Sequence, residues 1–492
     1  MSIIFRHPGR LEAKKTAFPY QAQAVEALRD LPYAAIFHEP GLGKTKIAVD
    51  LMLYWLAHGR VETVLVITKK QLVSNWVGEL QDHTFLRPRV LNADKKNNFF
   101  VLNGTARVVI TNFETISTEK TRILLFAKTR KIGVIVDEST KIKNPGSKLT
   151  QDFFELAPLC TVKVIMTGTP VANRPYDVWA QIFFLDKGKS LGPDFKEFKR
   201  QTDLTNQLAN DATASAVFED AVSSIFNRIR GFAVRETKKT AGIVLPDKVY
   251  ETISAEMEPT QRVIYDKVIC DMRLEVERNG TLLLDDESAA LKRLLRLDQI
   301  ASNPKLVDDR YDKTSCKESV LGDLLAKIIE SGEKCIVWSC FIENVNWFWK
   351  KYEQYKPKRI HGKLSMEERD KAVQTFKLDP DCKVLFATPQ AAKEGLTLTV
   401  ANNVIFYDRG FNLDDYLQAQ DRIHRISQKK ICHVYNLAAN NSIDQWVDLL
   451  LNAKQRAAFL AQGDMSREDY SRVADYSYGD LIRNILSGTH DL

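Results

Sequence analysis

The sequence predicts an α/β protein built from two parallel-sheet lobes with helical insertions. In the first half, short and nearly continuous apolar runs alternate with helical stretches, a pattern typical of a parallel sheet covered on both faces. The same alternation returns after about residue 330, and mainly helical sequence separates the two regions. The length of 492 residues also exceeds what a single hydrophobic core usually supports.

The first lobe is predicted from four runs rich in β-branched residues. These candidate strands are Val61–Ile67, Arg107–Ile110, Ile132–Val136 and Val162–Met166. Between the strands, Lys44–His58 carries apolar residues at helical spacing, and Gly59 supplies the stop signal that often follows a helix.

The second lobe is predicted from four similar runs. They are Cys335–Trp338, Lys383–Phe386, Asn403–Tyr407 and Ile431–Tyr435. We place the boundary near Pro246, so that residues 1–245 form lobe 1 and residues 246–492 form lobe 2. The helical insertions are expected at about 187–245 in lobe 1 and at about 250–330 in lobe 2.

Composition narrows the class of protein only slightly. The net charge of +7 favours a polyanionic partner, although lysines spread over the surface of a soluble enzyme would give the same value. The seven cysteines form no C-x-x-C pair, so we expect free thiols in a reducing compartment rather than a zinc site. We also expect no signal peptide, no membrane-spanning segment and therefore a cytoplasmic protein.

A glycine-rich loop points to phosphate binding. The segment Gly41-Leu42-Gly43-Lys44-Thr45 follows an apolar run and precedes the predicted helix, so its backbone amides would face an anion at the helix N-terminus. Lys44 would reach the β- and γ-phosphates, and the Thr45 hydroxyl would bind Mg²⁺. His38 stands where the general motif has glycine, so a simple strand-to-helix turn is the alternative.

An acidic pair follows one of the predicted strands. Asp137 and Glu138 end an apolar run, and ligands of open α/β sheets bind beyond the carboxyl ends of strands. Asp137 suits a partner of Mg²⁺, and Glu138 suits the base that orients or deprotonates an attacking water. An acidic loop without function is the alternative, but the pair and Lys44 together are more specific than either motif.

An arginine-rich segment lies in the second half. Asn412 is expected to cap a helix, along which polar side chains recur at spacings of three and four. The residues expected to share one helix face are Gln418, Asp421, Arg422, Arg425 and Gln428. Two arginines on such a face suit the stabilisation of a transferring phosphoryl group, whereas a solvated charged face is the alternative.

These residues together resemble the Swi/Snf-type ATPases of helicase superfamily 2, in a compact bacterial or bacteriophage form. The resemblance runs from about Phe18 to Lys454, with the motifs in the family's order. The family's own phosphate loop also lacks the first glycine, which removes the objection raised by His38. The resemblance implies two RecA-like lobes, with the block from Gln418 to Gln428 as the strongest single match.

The resemblance assigns further residues to ATP and to coupling. Tyr20 and Gln21 resemble the adenine-reading segment, and Gln418 is placed with the nucleotide contacts of residues 41–45. ATP and Mg²⁺ are the implied cofactors, with the metal on Thr45 and Asp137. Coupling residues are expected in two later motifs, at Thr167, Gly168, Thr169 and Gly395.

The resemblance also implies contacts with the backbone of duplex DNA. The positions expected near DNA are Thr68, Lys69, Thr111, Asn112, Ser339 and Thr397. Binding through phosphates would give little sequence preference and a strong dependence on salt. Each of these residues could instead be a capping residue at the end of a strand.

The implied activity is DNA-stimulated ATP hydrolysis that drives translocation on double-stranded DNA and remodels DNA or protein–DNA complexes. The catalytic residues would be Lys44, Asp137, Glu138, Arg422 and Arg425. One alternative is a strand-separating or branch-migrating helicase that acts on single-stranded, branched or forked DNA or on RNA. Others are a degenerate DNA-binding scaffold and the motor of a larger complex with protein partners.

Overall fold

A computed structural model describes residues 10–203, 212–279, 287–391, 396–425 and 427–473 of the chain. The described residues cluster into two compact units. The first unit contains residues 10–203, 212–244 and 456–473, and the second contains the described residues between 245 and 455. The change of unit at 244/245 lies beside the Pro246 boundary, whereas residues 456–473 return to the first unit.

The first unit is built on a parallel sheet with the strand order β3-β4-β2-β5-β6-β1-β7. Its strands are β1 (Tyr33–Ile36), β2 (Thr63–Thr68), β3 (Arg89–Val90), β4 (Val108–Asn112), β5 (Ile132–Asp137), β6 (Val162–Met166) and β7 (Ala233–Val234). Its helices before residue 244 are α1 (Pro19–Leu28), α2 (Lys44–Ala57), α3 (Val73–His83), α4 (Lys95–Asn103), α5 (Phe113–Thr118), α6 (Lys120–Lys128), α7 (Lys148–Leu156), α8 (Trp179–Asp186), α9 (Phe195–Thr202) and α10 (Ala212–Ile229).

The second unit is also built on a parallel sheet, with the order β10-β11-β9-β12-β13-β8. Its strands are β8 (Lys248–Ala255), β9 (Cys335–Trp338), β10 (Lys358–Ile360), β11 (Val384–Ala387), β12 (Asn403–Phe406) and β13 (Cys432–Ala439). Helices α11 (Pro259–Asn279), α12 (Glu287–Ser302), α13 (Cys316–Glu330), α14 (Ile342–Lys351), α15 (Met366–Leu378) and α16 (Leu413–Gln420) follow. Helix α17 (Ile443–Gln462) begins in the second unit and its residues from 456 onward belong to the first, as does α18 (Arg467–Val473).

The apolar patterns of the sequence explain both cores. Strands β2, β5 and β6 are buried along their whole length, as expected for parallel strands covered on both faces. In β9, Cys335 and Val337 join one hydrophobic cluster, whereas Ile336 and Trp338 join another, because successive side chains point to opposite faces. The predicted fold class, two parallel-sheet lobes with helices, is therefore confirmed.

Two strands lie in the region that was predicted to be mainly helical. Strand β7 has only two residues, too few to show any periodicity. Strand β8 forms an edge of the second sheet beside β13, and most of its side chains are exposed or half-buried. Its sequence therefore lacks the apolar run by which the central strands were predicted. Among the described helices, none is long and apolar enough to cross a bilayer.

Candidate active site

The phosphate loop connects β1 to α2 and turns through two glycines with positive φ. Gly41 has φ 91°, and Gly43, which precedes the first residue of α2, has φ 67°. Side-chain-bearing residues rarely adopt this conformation, so the loop depends on glycine at both points. The Lys44 ammonium donates to the carbonyl oxygens of His38 at 2.9 Å and Glu39 at 3.3 Å. The lysine therefore lies folded over the loop at the N-terminus of a helix, where anions bind.

Tyr20 and Gln21 pack directly on this loop. The Tyr20 hydroxyl donates to the Leu42 carbonyl at 3.1 Å, and the Gln21 amide donates to the same oxygen at 3.2 Å. A Cβ atom built on Gly43 would lie only 2.4 Å from Gln21 Nε2. The structure thus brings the two predicted adenine-side residues onto the loop that carries Lys44.

A segment far along the chain braces the other side of the loop. Glu39 accepts a hydrogen bond from the backbone N–H of Lys238 at 2.7 Å, and the Lys238 ammonium lies 3.4 Å from the Glu39 carboxylate. Lys238 Cε also lies 3.9 Å from the position of a Cβ on Gly41. The sequence reasoning missed this lysine and glutamate, because no local pattern links positions about two hundred residues apart.

His38 is a neutral ring inside the site. Its side chain is 1% exposed. Burial, together with the nearby Lys44 ammonium, lowers the pKa of His38 to about 4. At neutral pH the loop therefore carries the charge of Lys44 without a second cation from this histidine.

The two carboxylates of the acidic pair have different surroundings. Asp137, the last residue of β5, accepts hydrogen bonds on Oδ2 from Trp76 Nε1 at 2.8 Å and from Thr68 Oγ1 at 3.0 Å. Burial and the neighbouring Glu138 raise the pKa of Asp137 to about 6, against the opposing effect of both donors and of Lys44. Glu138 instead has a positive φ of 57° and lies 3.5 Å from the Lys69 ammonium.

The left-handed backbone at Glu138 is unusual for a residue with a side chain. Such conformations cost roughly 1–3 kcal/mol and concentrate at functional sites. Glu138 follows the last residue of β5 and precedes a short 3₁₀ helix, Ser139–Ile142. One carboxylate is thus held by hydrogen bonds, whereas the other pairs with a lysine.

The donor chemistry near the loop fits Mg²⁺. Thr45 offers a hydroxyl at the first turn of α2, and Asp137 offers a carboxylate at the end of β5. Mg²⁺ prefers such oxygen ligands and usually keeps several waters. In the sheet, β6 alone separates β5 from β1, and β1 leads into the phosphate loop. Because the strands are parallel, the Asp137 carboxylate and the Thr45 hydroxyl lie along the edge formed by the carboxyl ends of the strands.

The predicted coupling residues Thr167, Gly168 and Thr169 follow β6, between the loop and the acidic pair. A Cβ on Gly168 would lie 2.6 Å from the Pro40 ring of the phosphate loop, so glycine permits this close approach. The Thr167 N–H donates to the carbonyl of Ile36 at the end of β1. The segment therefore contacts the loop directly, whereas Gly395 lies outside the described residues.

The residues predicted near DNA in the first unit have inward-facing contacts. Thr68 and Thr111 are fully buried, and Thr68 donates to Asp137. Asn112 accepts from the Thr115 N–H and caps α5, which is the capping role named as the alternative. Lys69 pairs with Glu138. A role for these four residues in DNA binding stays a prediction.

In the second unit, the arginine segment differs from its prediction. Asn412 caps α16 as expected, but the helix ends at Gln420, and the described residues that follow it, 421–425 and 427–428, are not helical. The prediction that one helix face carries Gln418, Asp421, Arg422, Arg425 and Gln428 is therefore wrong.

Side chains of the segment itself explain why the helix ends. Arg422 donates through Nε to the Gln418 carbonyl at 3.1 Å, and Arg425 donates through Nε to the Asp421 carbonyl at 3.2 Å. The Gln428 amide donates to the Ala401 and Ile423 carbonyls, both at 3.0 Å. Side chains of the segment thus bind backbone carbonyls of the last helical turn and of the loops around it.

Loop contacts hold the arginines in place. Arg425 donates to the Thr397 hydroxyl at 2.8 Å, and burial lowers the pKa of its guanidinium. Gln418 donates to the Asp414 carboxylate at 2.7 Å. Ser339, predicted near DNA, is buried and donates to Asp408 at 2.6 Å. DNA contacts by Ser339 and Thr397 stay predictions, as does a nucleotide contact by Gln418.

Comparisons with known proteins agree with these motifs. The SNF2-related domain family matches residues 20–306, and the helicase conserved C-terminal domain family matches residues 316–427. Over 464 residues the chain is 28% identical to a putative ATP-dependent helicase/translocase, YwqA, of Bacillus subtilis, covering 90% of this chain and 48% of that protein.

Other relatives include eukaryotic proteins. A human SWI/SNF-related matrix-associated actin-dependent regulator of chromatin, subfamily A member 1, is 26% identical over 472 residues, covering 91% of this chain and 43% of the relative. An uncharacterized ATP-dependent helicase of Mycoplasma pneumoniae is 27% identical over 452 residues, or 89% of this chain and 41% of the relative. The chain thus spans less than half the length of these relatives.

Among solved structures, the SWI2/SNF2 ATPase core of Sulfolobus solfataricus in complex with double-stranded DNA aligns with a TM-score of 0.43 and 23% identity. The alignment covers 95% of this chain and 98% of that core.

Proposed function

Because this chain belongs to the SNF2-related family of ATP-dependent helicases, we propose that it is a DNA-dependent ATPase that translocates on double-stranded DNA. The observation that carries the proposal is the assembly on one sheet edge of the phosphate loop with Lys44, the Asp137–Glu138 pair and the Thr167–Thr169 segment. The net charge of +7 suits a polyanionic partner.

Lys44 and the loop amides are proposed to bind the triphosphate. At present Lys44 donates to two carbonyls of its own loop, so an incoming phosphate would replace weak neutral acceptors by a charged one. Tyr20 and Gln21, which already pack on Leu42, are proposed to line the adenine side. Mg²⁺, when held by Thr45 and Asp137, would neutralise charge on the β- and γ-phosphate oxygens.

Glu138 is proposed to orient the attacking water and to accept its proton. Its carboxylate pairs with Lys69 at 3.5 Å, and its backbone is left-handed. Arg422 and Arg425 are proposed to stabilise the charge that develops on the transferring phosphoryl group. In the second unit, Arg422 Nε donates to the Gln418 carbonyl and Arg425 Nε donates to the Asp421 carbonyl. These hydrogen bonds fix the direction of each guanidinium.

Thr167, Gly168 and Thr169 are proposed to transmit the state of the nucleotide. Gly168 contacts Pro40 closely enough that a change in the loop would move this segment as well. Alternating grip of the two lobes on the DNA backbone is proposed to turn each hydrolysis event into a step, with Lys69 and Asn112 near the DNA.

The test is ATP hydrolysis by the purified chain without nucleic acid and with duplex DNA, single-stranded DNA, forked DNA or RNA. We expect duplex DNA to stimulate hydrolysis most strongly, and we expect Lys44→Ala to abolish it on every nucleic acid. If forked DNA, single-stranded DNA or RNA stimulates hydrolysis most strongly, the result would favour an unwinding activity over translocation on duplex DNA. Hydrolysis that survives Lys44→Ala would overturn the assignment of the site.

A further inference from the structure

Two buried side chains, Thr68 and Trp76, donate hydrogen bonds to the Asp137 carboxylate. Thr68 ends β2, and Trp76 lies in α3, so they approach the end of β5 from different elements. Trp76 Nε1 donates at 2.8 Å and Thr68 Oγ1 at 3.0 Å. Both side chains are buried, at 2% and 0% exposure.

The two donors converge on the same oxygen. Each bonds to Oδ2 of Asp137, and neither bonds to Oδ1. A carboxylate can rotate about its Cβ–Cγ bond and present either oxygen, but two donors fixed in the core on one oxygen oppose that rotation. The two donors therefore fix the orientation of the carboxylate and leave Oδ1 out of both hydrogen bonds.

We propose that Trp76 and Thr68 are positioning residues for magnesium, acting through Asp137 rather than through DNA. This inference rests on the proposed nucleotide site, and it names two residues whose removal should affect the metal first. Neither residue touches nucleotide or metal itself, so both act by orienting the ligand. Substitution of residues that hydrogen-bond a metal ligand typically lowers metal affinity by roughly 10–100-fold.

A purely structural role would also account for the two hydrogen bonds, since a buried carboxylate needs donors. The two roles differ in one measurable quantity. If the donors only stabilise the fold, their loss lowers stability and leaves the Mg²⁺ requirement of nucleotide binding unchanged. If they orient the carboxylate, their loss raises the Mg²⁺ concentration needed to bind nucleotide.

The chain supplies matched controls for both substitutions. Trp55 is a buried indole in the same unit, and its Nε1 donates to the Arg29 carbonyl at 3.2 Å. Thr63 lies on the same strand as Thr68, and its hydroxyl donates to the Ala106 carbonyl at 2.9 Å. Trp55→Phe therefore removes a buried indole N–H, and Thr63→Val removes a buried hydroxyl, from the same unit. Neither substitution changes a hydrogen bond to Asp137.

The experiment measures binding of a fluorescent, non-hydrolysable ATP analogue by anisotropy across a Mg²⁺ titration, in the absence of DNA. Trp76→Phe and Thr68→Val are expected to raise the half-saturating Mg²⁺ concentration roughly tenfold or more. Binding of the analogue without Mg²⁺ should stay at the wild-type level. Thr68→Ser keeps the hydroxyl and should show the wild-type Mg²⁺ dependence. The comparison of Thr68→Val with Thr68→Ser therefore tests the inference even if Trp76→Phe fails to fold.

The outcomes separate this inference from the proposed function. A Mg²⁺ dependence of Thr68→Val equal to that of Thr63→Val and of the wild type would overturn the positioning role alone. Failure of the unsubstituted chain to bind the analogue at any Mg²⁺ concentration would overturn the nucleotide site, and this inference with it.

Discussion

The contact between Gly43 and Gln21 allows a quantitative test of how the phosphate loop is packed. Gly43 has φ 67°, and a Cβ there would lie 2.4 Å from Gln21 Nε2. Gly59, beyond the other end of α2, has φ 64° and nothing within 4 Å of its Cβ position. Gly43→Ala therefore adds backbone strain and a collision, whereas Gly59→Ala adds the strain alone.

The magnitude follows from the bonds that Gln21 would lose. A left-handed alanine costs roughly 1–2 kcal/mol, which both substitutions share. Moving the Gln21 amide away would also break its bonds to the Leu42 carbonyl and the Phe18 N–H, at about 1 kcal/mol each. We therefore expect Gly43→Ala to lower local stability by about 2 kcal/mol more than Gly59→Ala.

Hydrogen exchange of peptides covering α1 and α2 provides the assay, because it reports local opening free energies in a chain with two units. A double-mutant cycle with Gln21→Ala isolates the collision. In that background the cost of Gly43→Ala should fall to that of Gly59→Ala. A coupling energy near zero would refute the packing of Gln21 on the loop.

Further predictions concern chemistry and pH. Glu138→Gln should abolish ATP turnover while a gel-shift or anisotropy assay shows DNA binding largely unchanged; turnover at the wild-type rate would exclude Glu138 as the base. Arg425→Ala should reduce turnover by ~10²-fold or more with no comparable loss of ATP affinity; unchanged turnover would remove this arginine from catalysis. His38 stays neutral in the folded chain down to about pH 4, so the unfolded chain binds more protons between its ordinary pKa and that value. The contribution of His38 to stability should therefore fall as pH drops from about 6.5 to 4, by up to about 3 kcal/mol. Denaturant unfolding of His38→Gln should lack this part of the pH dependence, and an identical pH dependence would contradict the buried neutral ring.

The central strands and the phosphate loop could be predicted because their signals are local. Each predicted run contains a strand in the structure, and Gly41–Gly43 end the loop after β1, with Lys44 and Thr45 as the first residues of α2. Burial on both faces produces apolar runs that need no tertiary information. Strands β3, β7 and β10 have two or three residues each, and the half-exposed β8 mixes polar and apolar positions, so these gave no such run.

Contacts between distant elements could not be predicted. Lys238 contacts Glu39 across 199 positions in the sequence, and Trp76 in helix α3 donates to Asp137 at the end of strand β5. Thr68 was placed near DNA by the family resemblance, but its buried hydroxyl donates to Asp137, a contact that the sequence did not indicate.

The arginine segment shows how periodicity can mislead. Spacings of three and four from Gln418 to Gln428 predicted a continuous helix, but periodicity does not show where backbone carbonyls find their partners. Arg422 and Gln428 bind carbonyls through their side chains, and the helix ends at Gln420. The residues expected to matter remain in one segment, held by loop contacts rather than by a helix face.

The central claim, movement along duplex DNA driven by the Lys44 site, is tested most directly by displacement of a triplex-forming third strand from a duplex. We predict ATP-dependent displacement without separation of the two duplex strands, and no displacement by Lys44→Ala. Strong duplex-stimulated hydrolysis that never displaces the third strand, or displacement that Lys44→Ala still performs, would contradict the account.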